Sequence, residues 1–240
     1  GEKGQKPMKK ITEMLLDILY PRHCPLCHRI LKEKNRTICP ECETQAVPIE
    51  GARCFQCGRP VSEEEEFCEE CRTHTHRFES GRGIFLYSSR WRSCVVRFKY
   101  YGCREYGDFL GDAMAFYARR ELKCWKPDCL VPVPLHRSKE RRRGFNQAEY
   151  LAARISRQSG IPMETSLVAK IRKTKSQKRL SGQERQKNLA GAFAVTKPVE
   201  GMCILVVDDV FTTGSTIDAM AECLKKAGAL RVYFLTAFIG

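Results

Sequence analysis

Two stretches of this sequence carry residues whose types and spacing could do chemistry. In ILVVDDVFTTGST, residues 204–216, four apolar residues run into the carboxylates of Asp208 and Asp209, and Thr212, Thr213, Gly214, Ser215 and Thr216 follow as a hydroxyl-rich turn. An apolar strand of this kind would deliver both acids to the C-terminal edge of a parallel sheet, where open α/β folds bind ligands. The turn would then open a helix and offer backbone N–H groups, hydroxyls and the positive end of the helix dipole to a phosphate. One small molecule with vicinal hydroxyls and a phosphate satisfies both halves. A ribose 5-phosphate fits, its 2′ and 3′ hydroxyls donating to the carboxylates and its phosphate seated in the turn.

The second stretch is a series of four C-x-x-C pairs: Cys24 and Cys27, Cys39 and Cys42, Cys54 and Cys57, Cys68 and Cys71. A two-residue gap lets both thiolates of a knuckle reach one ion, and two knuckles complete a tetrahedral Zn²⁺ site, so eight cysteines make two structural sites. Consecutive ribbons are the simplest pairing, and a cross-braced one, first pair with third, stays open. Metal would supply folding energy that this apolar-poor segment lacks. A redox C-x-x-C accounts for one pair and not for four in series. His23, His28, His74 and His76 are read as bystanders, and the remaining six cysteines as inert thiols.

Other readings of the acidic turn fail on their partners. An apolar strand ending in two acids also describes a nucleotide-hydrolase segment, but no GxxxxGK[ST] accompanies it here. A phosphorylatable aspartate pocket has no need of TTGST. Basic residues are the natural complement. VPVPLHRSKERRRGFNQ, residues 131–147, would carry Arg137, Lys139, Arg141, Arg142 and Arg143 to the same sheet edge to hold a pyrophosphate. Residues 134–190 hold 15 Lys and Arg against 4 Glu, most of the chain's net charge of +14. That excess implies an anionic partner without naming it.

These residues need elements to position them. With 240 residues the chain has room for an α/β domain and a small second unit. Periodicity predicts an amphipathic helix over 10–19, a strand at GIFLY, and helices over 91–100, 105–122 and 147–158. It further predicts a strand over 129–135 leading into a basic loop, and an exposed or mobile basic segment over 170–187. The C-terminal part reads as strand 203–207, turn 208–215, helix 216–227 capped at Gly228, and strand 231–238. Strands alternating with helices argue for a mostly parallel sheet. Residues 1–7 are read as an expression remnant or disordered tail, 8–80 as helix plus double zinc ribbon, and 81–240 as the α/β domain. No membrane span or secretory signal is visible, and a cytoplasmic location is expected.

The acidic turn resembles the motif of type I phosphoribosyltransferases, which bind phosphoribosyl pyrophosphate (PRPP). With LLDILYP, the cysteine series, VPVPLHRSKERRRGFNQ and KIRKTKSQKRLSGQERQKNLAGAF, the whole chain resembles the ComF family of competence-associated proteins. The resemblance implies an α/β, type I phosphoribosyltransferase-like fold, a mostly parallel sheet flanked by helices, with a small N-terminal zinc-ribbon domain. It implies Mg²⁺ with PRPP, and Asp208, Asp209, Arg137 and Lys139 as the catalytic set. Thr212 to Thr216 would hold the 5′-phosphate, with Lys170 and Arg172 in a segment closing over the ligand. It also implies a role in DNA uptake, with single-stranded DNA and a competence helicase as partners. The rival reading is a non-catalytic, single-strand-binding accessory protein with a regulatory or vestigial PRPP site. For it, Lys173, Lys175, Lys178 and Arg179 would contact phosphates, and Trp91, Phe98, Tyr100 and Tyr101 would offer stacking faces. Purine-salvage relatives carry a further acid where this chain has Thr212, which disfavours hypoxanthine or guanine as acceptor.

Overall fold

The computed structural model describes residues 21–33, 35–174, 189 and 191–240. The helix expected over 10–19 lies outside the described residues, as do Lys175, Gln177, Lys178, Arg179, Leu180, Arg185 and Asn188 of the basic segment. Two short helices begin within the second and fourth knuckles, α1 (Pro40–Glu43) and α2 (Glu69–Thr73). The α/β part then runs β1 (Ser80–Leu86), α3 (Ser89–Tyr100), α4 (Tyr106–Tyr117), α5 (Arg119–Trp125), β2 (Cys129–Pro132), α6 (Arg137–Arg143) and α7 (Gln147–Ser159). It continues with β3 (Val168–Lys170), β4 (Phe193–Val195), β5 (Cys203–Phe211), α8 (Ser215–Lys226) and β6 (Arg231–Ile239).

Four strands form one all-parallel sheet in the order β1-β6-β5-β2, and β3 and β4 make a separate antiparallel pair. β5 and β6 are covered on both faces, which is why they read as near-continuous apolar runs. Alternation divides the core. Leu205 and Val207 pack with Phe98, Leu110 and Leu151 on one face. Ile204 and Val206 pack with Ile217, Met220 and Leu224 of α8 on the other.

Several expected boundaries move. β5 does not stop at Val207 but continues through both acids to Phe211, because β6 offers ladder partners as far as Ile239. The turn shrinks to residues 212–214. The helix expected over 105–122 is two, broken at Ala118, where the backbone leaves helical dihedrals. The strand expected over 129–135 ends at Pro132, and the expected basic loop is instead the seven-residue helix α6. The His136 ring accepts from Ser138 N–H at its start, and Gly144 takes the left-handed conformation at its end, so both termini are capped. Lys170 closes β3 rather than lying in an open loop.

Candidate functional site

The cysteine pairs are consecutive. Cys24, Cys27, Cys39 and Cys42 form one cluster and Cys54, Cys57, Cys68 and Cys71 another, the sulfurs of each lying within 4.8 Å of one another. Cys27 Sγ and Cys39 Sγ are 3.7 Å apart, and Cys57 Sγ and Cys68 Sγ 3.6 Å. Four thiolates about 2.3 Å from one tetrahedral ion would sit about 3.8 Å apart, so the donor set fits zinc. Burial, and next the charge of Cys57, push the Cys71 thiol up. Such a set of thiolates needs a cation to ionise together. A third group, His74, His76 and Asp218, is drawn together where the chain enters β1, with His76 Nδ1 2.8 Å from Asp218 Oδ2.

At the end of β5 the two acids part company. Asp208 lines a small pocket with Thr212, Thr213, Gly214, Ser215, Thr216 and Ile217; Asp209, expected beside it, does not. Asp209 follows the alternation of Leu205 and Val207 to the opposite face. There its Oδ2 lies 2.6 Å from Lys99 Nζ, at the C-terminal end of α3. That oxygen is buried and makes no hydrogen bond of acceptable geometry, so the contact is one of charge. Asp208 Oδ1 accepts from the Asp209 amide at 2.8 Å. Burial and then the neighbouring Asp209 push the Asp208 carboxyl up to about 7, against the opposing pull of Lys99.

The turn has the features of an anion seat. Gly214 caps α8 at φ 74°, and a Cβ there would stand 2.9 Å from the His76 ring, so both conformation and space call for glycine. Among the described residues, the amides of Thr212, Thr213, Gly214 and Ser215 donate to no protein acceptor. Thr213 and Ser215 share a hydroxyl contact of 2.9 Å. Unpaired amides at a helix N-terminus are the donors a phosphate requires.

Cations gather at the same sheet edge. β2 pairs with β5 up to Val207, so α6 begins beside the acids. Lys139 is half-buried and its ammonium is pushed down by burial, then by Arg143. Lys170 is pushed down to about 8 by burial first and Lys139 next, with Asp208 opposing. Burial also works against the charge of Lys99, but Asp209 outweighs it and the net direction is up. Lys99, Lys139, Arg143 and Lys170 thus sense one another's charge around the acid pair. Arg137 and Arg172, expected in the same set, are by contrast exposed. Arg143 belongs to the basic run expected at this edge, whereas Lys99 was not selected from the sequence as a ligand-site residue. Contact between Lys99 and Asp209, more than a hundred residues apart, has no local pattern. Of the expected stacking faces, Trp91 and Phe98 are core residues, whereas Tyr100 and Tyr101 reach solvent.

No helix among the described residues is long and apolar enough to cross a membrane. Residues 15–72 match the double zinc ribbon domain family, and residues 113–238 match the phosphoribosyl transferase domain family. The chain is 31% identical to the DNA utilization protein YhgH of Salmonella typhimurium over 215 residues, covering 88% of this chain and 94% of that protein. It is 29% identical to competence protein F of Haemophilus influenzae, covering 85% of this chain and 91% of that one. The identity to competence protein ComFC of Bacillus subtilis is also 29%, over 91% and 90% of the two chains. With its consecutive four-cysteine clusters, its parallel sheet flanked by helices and a strand that carries an acid pair toward a hydroxyl-rich turn, the chain belongs to the ComF family, which joins a double zinc ribbon to a phosphoribosyltransferase domain.

Proposed function

We propose that this protein binds PRPP with Mg²⁺ at the end of β5 and acts as a phosphoribosyltransferase-like protein in DNA uptake. The observation that carries the reading is the pocket that Asp208 shares with Thr212–Ile217, where, among the described residues, the amides of Thr212, Thr213, Gly214 and Ser215 donate to no protein acceptor. Asp208, with Asp209 once released from Lys99, accepts from the ribose hydroxyls, and the turn donates to the 5′-phosphate. Lys139 and Lys170, with Arg143 and Lys99, face the pyrophosphate and stabilise the negative charge that grows on it as it leaves C1′. Arg137 and Arg172 are rim residues that join when the ligand is bound. The donor chemistry fits Mg²⁺, since a hard cation takes one or two carboxylates beside ligand phosphates and keeps several waters. Bound there, it would neutralise pyrophosphate charge.

Thr212 disfavours hypoxanthine or guanine as the acceptor. Relatives named for competence and DNA utilization support a role in DNA uptake; single-stranded DNA and a helicase as partners, and a cytoplasmic location, are part of the same proposal. Residues 8–80 and 81–240 are the proposed working units, with 1–7 as a tail. The reading is tested by melting the zinc-loaded protein with PRPP and Mg²⁺ and by screening acceptors for pyrophosphate release. A melting shift at millimolar ligand, lost in Asp208→Asn, is expected; no shift in the wild type would overturn it.

A second reading, an accessory protein that binds single-stranded DNA, is favoured by one surface. Tyr101 is 71% exposed, and the Arg143 guanidinium stands 5.0 Å over the Tyr100 ring beside the basic helix α6. Aromatic faces flanked by cations suit stacked bases.

A further inference from the structure

The second cysteine cluster and the anion-binding turn are mechanically joined. Arg59 lies two residues past Cys57, and the knuckle fixes its backbone: Cys54 N–H donates to the Arg59 carbonyl at 2.8 Å, and Gly58 N–H to the Cys54 carbonyl at 2.9 Å. Its side chain then leaves the ribbon. Nη1 holds Glu70 Oε2 at 2.9 Å, while Nη2 donates to the carbonyl of Thr212 at 2.8 Å and to that of Gly240 at 3.0 Å. Gly240 N–H in turn bonds the Phe211 carbonyl at 3.1 Å. One guanidinium therefore ties the ribbon to the first residue of the turn and to the strand end beside it.

The segment leaving the ribbon adds a second brace. His76 Nδ1 meets Asp218 Oδ2, and the Arg77 amide donates to Asp218 Oδ1, both at 2.8 Å, in the first turn of α8. The His76 ring also packs against Gly214, the residue whose left-handed backbone opens that helix. Gly58 lets the ribbon backbone press on β1, since a Cβ there would stand 2.5 Å from the Gly81 carbonyl. The first cluster is anchored elsewhere. His28 bonds Tyr106 Oη and Ser93 Oγ, and Arg22 pairs with Asp108.

We propose that Arg59 is a positioning residue for the anion-binding turn, and that through it the second cysteine cluster, not the first, is coupled to ligand binding. The proposal rests on the reading that this turn holds the phosphate of PRPP. Fixing the Thr212 carbonyl sets the plane of the 212–213 peptide, and with it the direction of the N–H that follows. A guanidinium holds such a carbonyl in a planar fork that lysine or glutamine cannot reproduce. Coupling between two binding sites is reciprocal, so whatever the second cluster contributes to ligand affinity, bound ligand returns as retention of metal.

The test follows zinc transfer from the zinc-loaded protein to a colorimetric chelator, with and without PRPP and Mg²⁺. Cys27→Ser, which leaves only the second cluster complete, identifies the phases. PRPP is expected to slow loss from the second cluster by about fivefold, the low end of ordinary coupling, and to leave the first unchanged. Arg59→Gln should abolish that slowing and weaken PRPP binding by about tenfold, with two zinc ions still bound per chain. It should also shift the NMR signals of the Thr213 and Gly214 amides in the ligand-free protein, a readout that a merely stabilising role in the ribbon would leave unmoved. If wild-type protein binds PRPP but both phases run unchanged, or Arg59→Gln binds as the wild type does, the coupling is overturned and the PRPP reading stands. If PRPP does not bind at all, the PRPP reading falls, and the amide NMR signals still decide whether Arg59 positions the turn.

Discussion

Replacing Asp208 with Asn should make the protein more stable and at the same time unable to hold its ligand. The Asp208 carboxyl is pushed up from 3.8 to about 7 in the folded protein, by burial and then by Asp209. Below the unfolded value both states are protonated and nothing is lost. Between the unfolded value and about 7 the unfolded chain has released its proton while the enclosed carboxyl still holds its own, so stability falls across that window and levels off above it. About three units at ~1.4 kcal/mol each set an upper bound of about 4 kcal/mol. Because Asp208 is only half-buried by area and shares its charge with Asp209 and Lys99, about 2 kcal/mol is the working figure. For a chain of this size that is roughly 4–8 °C in melting temperature. The carboxamide oxygen that Asp208→Asn leaves in place still accepts from the Asp209 amide, so the hydrogen bond that Asp208 makes at 2.8 Å is kept. Thermal melts of zinc-loaded wild type and Asp208→Asn from mildly acidic to mildly alkaline buffer should diverge as pH rises, the variant ahead. A difference independent of pH, or a less stable variant in alkaline buffer, would refute the reasoning.

Gly214→Ala should lower stability by about 1–3 kcal/mol through left-handed strain and a clash with His76, and should weaken phosphate binding, as read by calorimetry. Metal analysis should find two zinc ions per wild-type chain and one in Cys27→Ser or Cys71→Ser, because the clusters do not share ligands. Lys170→Gln should weaken pyrophosphate in the wild-type pH range. Because the Lys170 ammonium is lowered to about 8, wild-type affinity should decline as pH rises past that value, while the variant follows a flatter profile. Tyr101→Ala should reduce single-strand affinity by about 1–3 kcal/mol if the accessory reading holds, measured by fluorescence anisotropy at fixed salt.

What could be read from the sequence was what repeats locally. The run 204–207 is apolar because β5 is covered on both faces, and the stripe Ile217, Met220, Ala221 and Leu224 is buried as its helical spacing required. C-x-x-C spacing is set by knuckle geometry, so both clusters were legible, although only the fold could decide that the pairs are consecutive. The helix α6 was missed because RSKERRR has no apolar stripe, and its caps act through geometry. β3 and β4, three residues each, are too short to show a period. Arg59 on the turn and Lys99 on Asp209 join residues more than a hundred positions apart, and no spacing announces such contacts. The placement of Asp209 on the face opposite Asp208 follows from strand alternation continuing through the acids, which a strand ended at Val207 would have hidden.

The central claim is that the acid-ended strand and the turn after it hold one ligand between them. Calorimetric titration of the zinc-loaded protein with PRPP in Mg²⁺ tests it directly when run on wild type, Asp208→Asn and Gly214→Ala. The account expects binding to wild type and a loss of at least about tenfold in each variant, since removing a charged partner or reshaping the phosphate seat costs well over ~1.4 kcal/mol. Silent titration of the wild type, or equal affinity in all three proteins, would contradict it.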